Sequence, residues 1–145
     1  MNHYKKALKM TALGLTLAAG QAMAHGNVTP QSVDTKGLEE LGTEWRETNP
    51  YREGHPQHEL AIKVGASAYN QNCAACHGLE GISGGITPDL RYLEVGDYGD
   101  EWFKERVING SVRDGRVYMP KMADFLSQEA LWAIRTWLES VAVEQ

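Results

Sequence analysis

Apolar and polar positions alternate with helical spacing in three stretches of this chain and nowhere else with conviction. In residues 58–71, Ile62, Gly65, Ala66 and Tyr69 can share one face of a helix. In residues 100–109, Trp102, Phe103, Val107 and Ile108 supply an apolar side, with Asp100 as the expected cap and Gly110 as the stop. In the last stretch Ser127 is a sound N-cap, Glu129 suits the first turn, and Leu131, Ile134, Trp137, Leu138 and Val141 form a stripe. Segments 77–90 and 111–126 read as loops. No run has a convincing strand period, and no internal repeat stands out. The pattern therefore predicts an all-α domain with long loops over 58–145.

Two segments precede it. Residues 1–24 read as a secretory signal peptide: Lys5, Lys6 and Lys9 begin it, an apolar run from 10 to 20 follows, and Ala22-Met23-Ala24 closes it. The run is too short to span a bilayer comfortably, so no stable membrane insertion is expected after cleavage. Residues 25–57 lack periodicity and carry Pro30, Pro50 and Pro56. They read as an irregular N-terminal arm, pinned by Trp45 and Tyr51.

Cleavage changes the charge. Of 14 basic and 19 acidic residues, three lysines and no acid leave with residues 1–24. The remaining 11 and 19 give a formal charge of −8. Such a chain does not seek nucleic acid, and a basic protein partner suits it better. The acidic run Glu94, Asp97, Asp100 and Glu101 reads as a solvated face that could steer such a partner.

The chemistry is concentrated in Cys73-Ala74-Ala75-Cys76-His77. Two cysteines two residues apart with histidine directly after form the attachment pattern for c-type haem. Both thiols add to the haem vinyl groups, and the histidine binds iron from below. The vinyl carbons sit a fixed distance apart on a rigid ring, which is why the spacing matters. These are the only two cysteines. An exported domain of this size would then lack a disulfide, and covalent haem would take its place as the staple.

A low-spin carrier needs a second axial ligand. Methionine sulfur favours ferrous iron and raises the potential. Met119 is the favoured candidate because Pro120 keeps its loop extended; Met122 remains the alternative. Pro88 offers a carbonyl to the second ring nitrogen of His77, or merely turns the chain. Leu90 is expected to pack on the ring. Arg91 could neutralise a propionate with its planar fork, or could be an ordinary surface arginine.

Gly65, Tyr69, the Cys73-to-His77 motif, Pro88-Asp89-Leu90-Arg91, Met119-Pro120 and Leu131-Trp132-Ala133-Ile134 together resemble a class I cytochrome c over about 58–142. The resemblance implies a class I cytochrome c fold in which the first and last helices cross at Gly65 and Tyr69, with Trp137 as partner. It implies one covalent haem c, held by Cys73, Cys76, His77, Pro88, Leu90, Arg91 and Met119, with His77 and Met119 as the iron ligands. Lys121-Met122 departs from many relatives, which carry a small residue and an aromatic there. With the arm included, the chain is similar to soluble periplasmic cytochromes that accept electrons from quinoprotein (PQQ-dependent) alcohol dehydrogenases. The resemblance implies an electron carrier, not an enzyme, passing electrons to a terminal oxidase or another cytochrome.

Other chemistries fit less well. A thiol–disulfide exchanger would need strands around its cysteines. A zinc site using His55 and His58 would have unusually tight histidine spacing. A haem enzyme or gas sensor would need an open sixth iron position, against which two distal methionines argue.

Overall fold

The structure is a computed structural model and describes residues 29–144. The expected signal peptide lies outside the described residues. Four helices follow in chain order: α1 (His58–Asn72), α2 (Ala74–His77), α3 (Asp97–Asn109) and α4 (Gln128–Ser140). Single 3-10 turns at Leu79–Gly81, Leu90–Tyr92 and Met122–Asp124 punctuate the loops.

The frame is the crossing of α1 and α4. A Cβ built on Gly65 would overlap the carbonyl oxygen of Ala133 and stand 3.0 Å from the Ile134 nitrogen. Only a residue without a side chain lets the two backbones meet this closely. One turn on, Tyr69 packs on Trp137 with ring centroids 4.4 Å apart. Both positions match the resemblance to class I cytochromes. Glycine in an exposed helix costs about 1 kcal/mol relative to alanine, so Gly→Ala ordinarily stabilises. Here the obstacle is backbone and cannot rotate away. Gly65→Ala should therefore lower stability by at least about 1–3 kcal/mol in a denaturant titration. A stabilised variant would show that the crossing is looser than described.

The Ser127 hydroxyl starts α4, accepting a hydrogen bond from the Ala130 amide at 3.3 Å. This helix is buried nearly all round, from Ala130 to Leu138. Its expected stripe explains only the side facing α1. The other side is covered by residues 29–57, which contain no helix or strand. Trp45 meets Trp132 edge-on at 6.3 Å, and Leu38, Leu41 and Tyr51 join the core. The Leu41 amide donates to the Glu129 carboxylate at 2.7 Å, and the Gln128 side chain bonds the backbone at Gly42, Glu44 and Arg46.

Two local expectations need correction. First, 111–119 is not all loop: β1 (Ser111–Arg113) and β2 (Arg116–Met119) form an antiparallel hairpin with Arg113 opposite Arg116. The turn is Asp114-Gly115, with φ of 49° and 71°. Positive φ at both central residues is the type I′ geometry that Asp-Gly favours. The all-α class stands, with this small hairpin added. Second, α3 starts at Asp97 with Gly96 as its N-cap, so Asp100 is not the cap. Nor is Asp100 part of a solvated acidic face. It is 0% exposed, and its carboxylate takes Arg135, Arg52 and the Asn49 amide.

Candidate cofactor site

The Cys73-to-His77 motif occupies the break after α1. Cys73 ends that helix, its amide donating to Tyr69 O at 2.8 Å. The chain then makes one more helical turn, with the Cys76 and His77 amides both returning to Cys73 O at 3.1 and 2.9 Å. The Tyr69 hydroxyl reaches past the turn to Gly78 O at 2.8 Å. The packed core residue of the helix crossing thus also anchors the motif.

The two cysteines are not joined to each other; Cys73 is part-buried and Cys76 exposed. Burial, with the neighbouring Cys76 sulfur adding, pushes the Cys73 thiol up to about 12. Exchange chemistry needs the opposite, a thiol lowered towards neutrality. Cys73 is therefore poorly suited to be the attacking thiol of an exchange catalyst.

His77 Nδ1 lies 3.1 Å from Pro88 O. A carbonyl can only accept, so Nδ1 carries the proton and Nε2 keeps its lone pair for a metal. Leu90 is partly buried against the core. Arg91 has a partner within its own loop. Its Nε and Nη2 grip Asp89 at 3.1 and 2.8 Å, and its amide bonds the same carboxylate at 3.1 Å. That grip holds the Asp89 carboxyl well below the usual range, at about 2.

Sequence reasoning missed Ser83 and Thr87, which also stitch this loop. The Thr87 hydroxyl donates to Cys76 O at 2.6 Å, and the Ser83 hydroxyl bonds Thr87 O. No periodicity marks such residues; the signal is only that both can bond nearby backbone in turns. It also missed the packing role of Gly110, read there only as a helix stop. A Cβ on it would stand 2.5 Å from Met119 O and 3.1 Å from the Pro120 carbonyl carbon.

Met119 ends β2, part-buried against the core. Met122 sits inside that core at 5% exposure. His55 and His58 are engaged within the arm and at the start of α1, with Glu39 at 3.5 Å and Tyr51 O at 2.7 Å respectively.

The residues fit a large flat apolar group bearing a metal. Around the motif and in the distal segment, Leu79, Ile82, Ile86, Val117 and Phe125 are exposed, Ile86 at 99%. Such side chains are available to pack against an apolar group. The motif supplies two sulfurs and an imidazole whose Nε2 is left for a metal.

Comparison with known proteins decides the family. The chain is 72% identical over 132 residues to cytochrome c550 of Pseudomonas aeruginosa, covering 91% of this chain and 90% of that one. The chain belongs to the class I c-type cytochromes. The family described as cytochrome c oxidase, cbb3-type, subunit III matches residues 60–138 of the cytochrome. Chloroplastic cytochrome c6 of Chlamydomonas reinhardtii is 35% identical over 85 residues, 57% of this chain and 56% of its own. The quinohemoprotein alcohol dehydrogenase ADH-IIG of Pseudomonas putida is 36% identical over 78 residues, 54% of this chain but 10% of that enzyme. No solved structure matches the chain. The cytochrome carries one covalent haem c and is an electron-transfer protein, not an enzyme. No helix among the described residues is long and apolar enough to cross a membrane.

Proposed function

We propose that this cytochrome is a periplasmic one-electron carrier whose iron is ligated by His77 and Met119, fed by a quinoprotein alcohol dehydrogenase and emptied by a terminal oxidase or another cytochrome. The carrying observation is the bond from His77 Nδ1 to Pro88 O at 3.1 Å. It orients the ring with Nε2 available and raises its basicity. Cys73 and Cys76 anchor the haem through thioethers, and Leu90 packs against it. Bound haem supplies a reversible ferric–ferrous couple. Met119 is preferred to Met122 because Met122 already serves as packed core. Residues 1–24 act as the export signal, 25–57 as the arm and 58–145 as the cytochrome domain.

The donor assignment is supported by the domain's likeness to a stretch of two quinohemoprotein alcohol dehydrogenases, 36% and 34% identical. A domain of this kind is there part of the enzyme's own chain. Around the motif, exposed Leu79 and Ile82 supply a small apolar rim suited to brief docking. With Asp100 buried, Glu94, Asp97 and Glu101 remain to steer a basic partner.

The test is an optical spectrum of protein matured with haem, first oxidised, then reduced, then exposed to CO. A closed His–Met carrier gives sharp reduced bands that CO leaves in place. Stopped-flow mixing with a purified quinoprotein alcohol dehydrogenase and its alcohol should then reduce it at a salt-dependent rate. A CO-shifted ferrous spectrum at neutral pH would turn the assignment to a sensor or haem enzyme.

A further inference from the structure

Resting on the haem reading above, we infer that Thr87 and Ser83 are positioning residues that hold the Pro88 carbonyl on His77 and thereby set the reduction potential. The loop from Gly78 to Asp89 has little else to fix it. Of its residues only Gly81 is buried within the polypeptide. The chain's own contacts that place the Pro88 carbonyl are therefore chiefly hydrogen bonds.

Those bonds form a chain. The Thr87 hydroxyl donates to Cys76 O at 2.6 Å, one residue before His77. The next residue along the loop accepts from His77 itself at 3.1 Å. Two adjacent cross-links thus join 76–77 to 87–88, and they fix distance and angle as one link could not. The Ser83 hydroxyl donates to Thr87 O, and its Oγ accepts from the Gly85 amide at 3.0 Å. The Ser83 amide reaches the Asp89 carboxylate at 3.4 Å, which Arg91 grips from the far side. Apart from the Arg91–Asp89 pair, each link joins a side chain to backbone across a turn, the local pattern that substitutes for regular structure.

The sign of the effect follows from the chemistry. A hydrogen bond from the ring N–H to a carbonyl makes the imidazole a stronger donor to iron. Stronger donation favours the ferric state. Loosening the clamp should therefore favour the ferrous state and raise the potential. Neither hydroxyl touches the haem in this scheme; both act through Pro88 and His77.

The experiment uses the full exported holoprotein and its variants Thr87→Val, Ser83→Ala and Thr87→Ser. Spectroelectrochemistry reads the ratio of reduced to oxidised protein at a fixed solution potential. NMR of the ferrous state reads solvent exchange of the His77 ring N–H. Thr87→Val should raise the reduced fraction ratio at least about threefold, roughly 30 mV for one electron, and speed ring N–H exchange at least tenfold. Ser83→Ala should move both in the same direction by less, and Thr87→Ser should restore both. Unchanged potential and exchange in Thr87→Val, or a lowered potential, overturns the inference. If Thr87→Val does not mature, Ser83→Ala carries the test alone, and a null result there overturns it equally. Wild-type protein without covalent haem, or without a protected His77 ring proton, removes the underlying reading and is seen before any variant is made.

Discussion

Met119→Ala is expected to open the sixth iron position and change what the protein does. The ferrous form should then bind CO, and the weak ferric band arising from sulfur ligation should vanish. The potential should fall, because a thioether favours ferrous iron. Axial ligand choice spans roughly 0.8 V across haem proteins, so the fall should be a sizeable fraction of that. Met122→Ala should do something different. Met122 is core, and truncating a buried methionine costs about 2–5 kcal/mol. That variant should keep its CO-insensitive spectrum while melting earlier. Reversal of the two outcomes would assign the iron to Met122. Retained ligation in both singles would mean that neither sulfur is the natural ligand.

The contrast between the two methionines was only half visible in the chain. Pro120 singled out Met119, but nothing local said that Met122 would be buried. Burial there comes from the turn Met122–Asp124 packing towards α3 and the core. Elements with one buried face announced themselves. Gly65 and Tyr69 stand one turn apart on α1, and Trp137 lies on the apolar stripe of α4, because both faces point into one crossing. The hairpin did not, because Val112, Arg113, Arg116, Val117 and Tyr118 are all exposed and neither face enforces alternation. Its turn was legible in Asp114-Gly115, but a two-residue signal without flanking alternation is easily passed over. The motif at 73–77 was legible because its spacing answers to a rigid ring rather than to the fold. The pairing of Arg91 with Asp89 was not, since nothing in a sequence marks a contact between charges two residues apart. Ser83 and Thr87 were invisible for the same kind of reason: their partners are backbone atoms, which carry no identity in a sequence.

Asp100 exposes the widest gap between sequence and structure, and it leads to the second large effect. In the chain it looked like a helix cap on an acidic face. In the fold it is 0% exposed and bonded to Arg135 Nε at 2.8 Å, with Arg135 also 0% exposed. Arg52, from the arm, reaches the same carboxylate, and the Asn49 amide joins at 2.6 Å. One buried acid therefore joins the arm, α3 and α4. Removing one member of a buried pair leaves the other charged and unmatched, which costs about 3–5 kcal/mol. The cost here should be near the top of that range, because Arg135 Nη1 already lacks a partner among the described residues. Glu139, 3.2 Å from both arginines, relieves part of it. Asp100→Ala should lower the thermal midpoint by on the order of 10 °C or more for a domain of this size. It should also make 29–57 sensitive to protease, since two of the arm's anchors go with the carboxylate. The reduced spectrum at low temperature should not change, because Asp100 has no contact with the motif. Lys104→Ala gives the scale: its pair with Glu47 is on the surface, and breaking it should cost about 1 kcal/mol or less. If the two variants melted together, the buried acid would not be what ties the arm to the cytochrome.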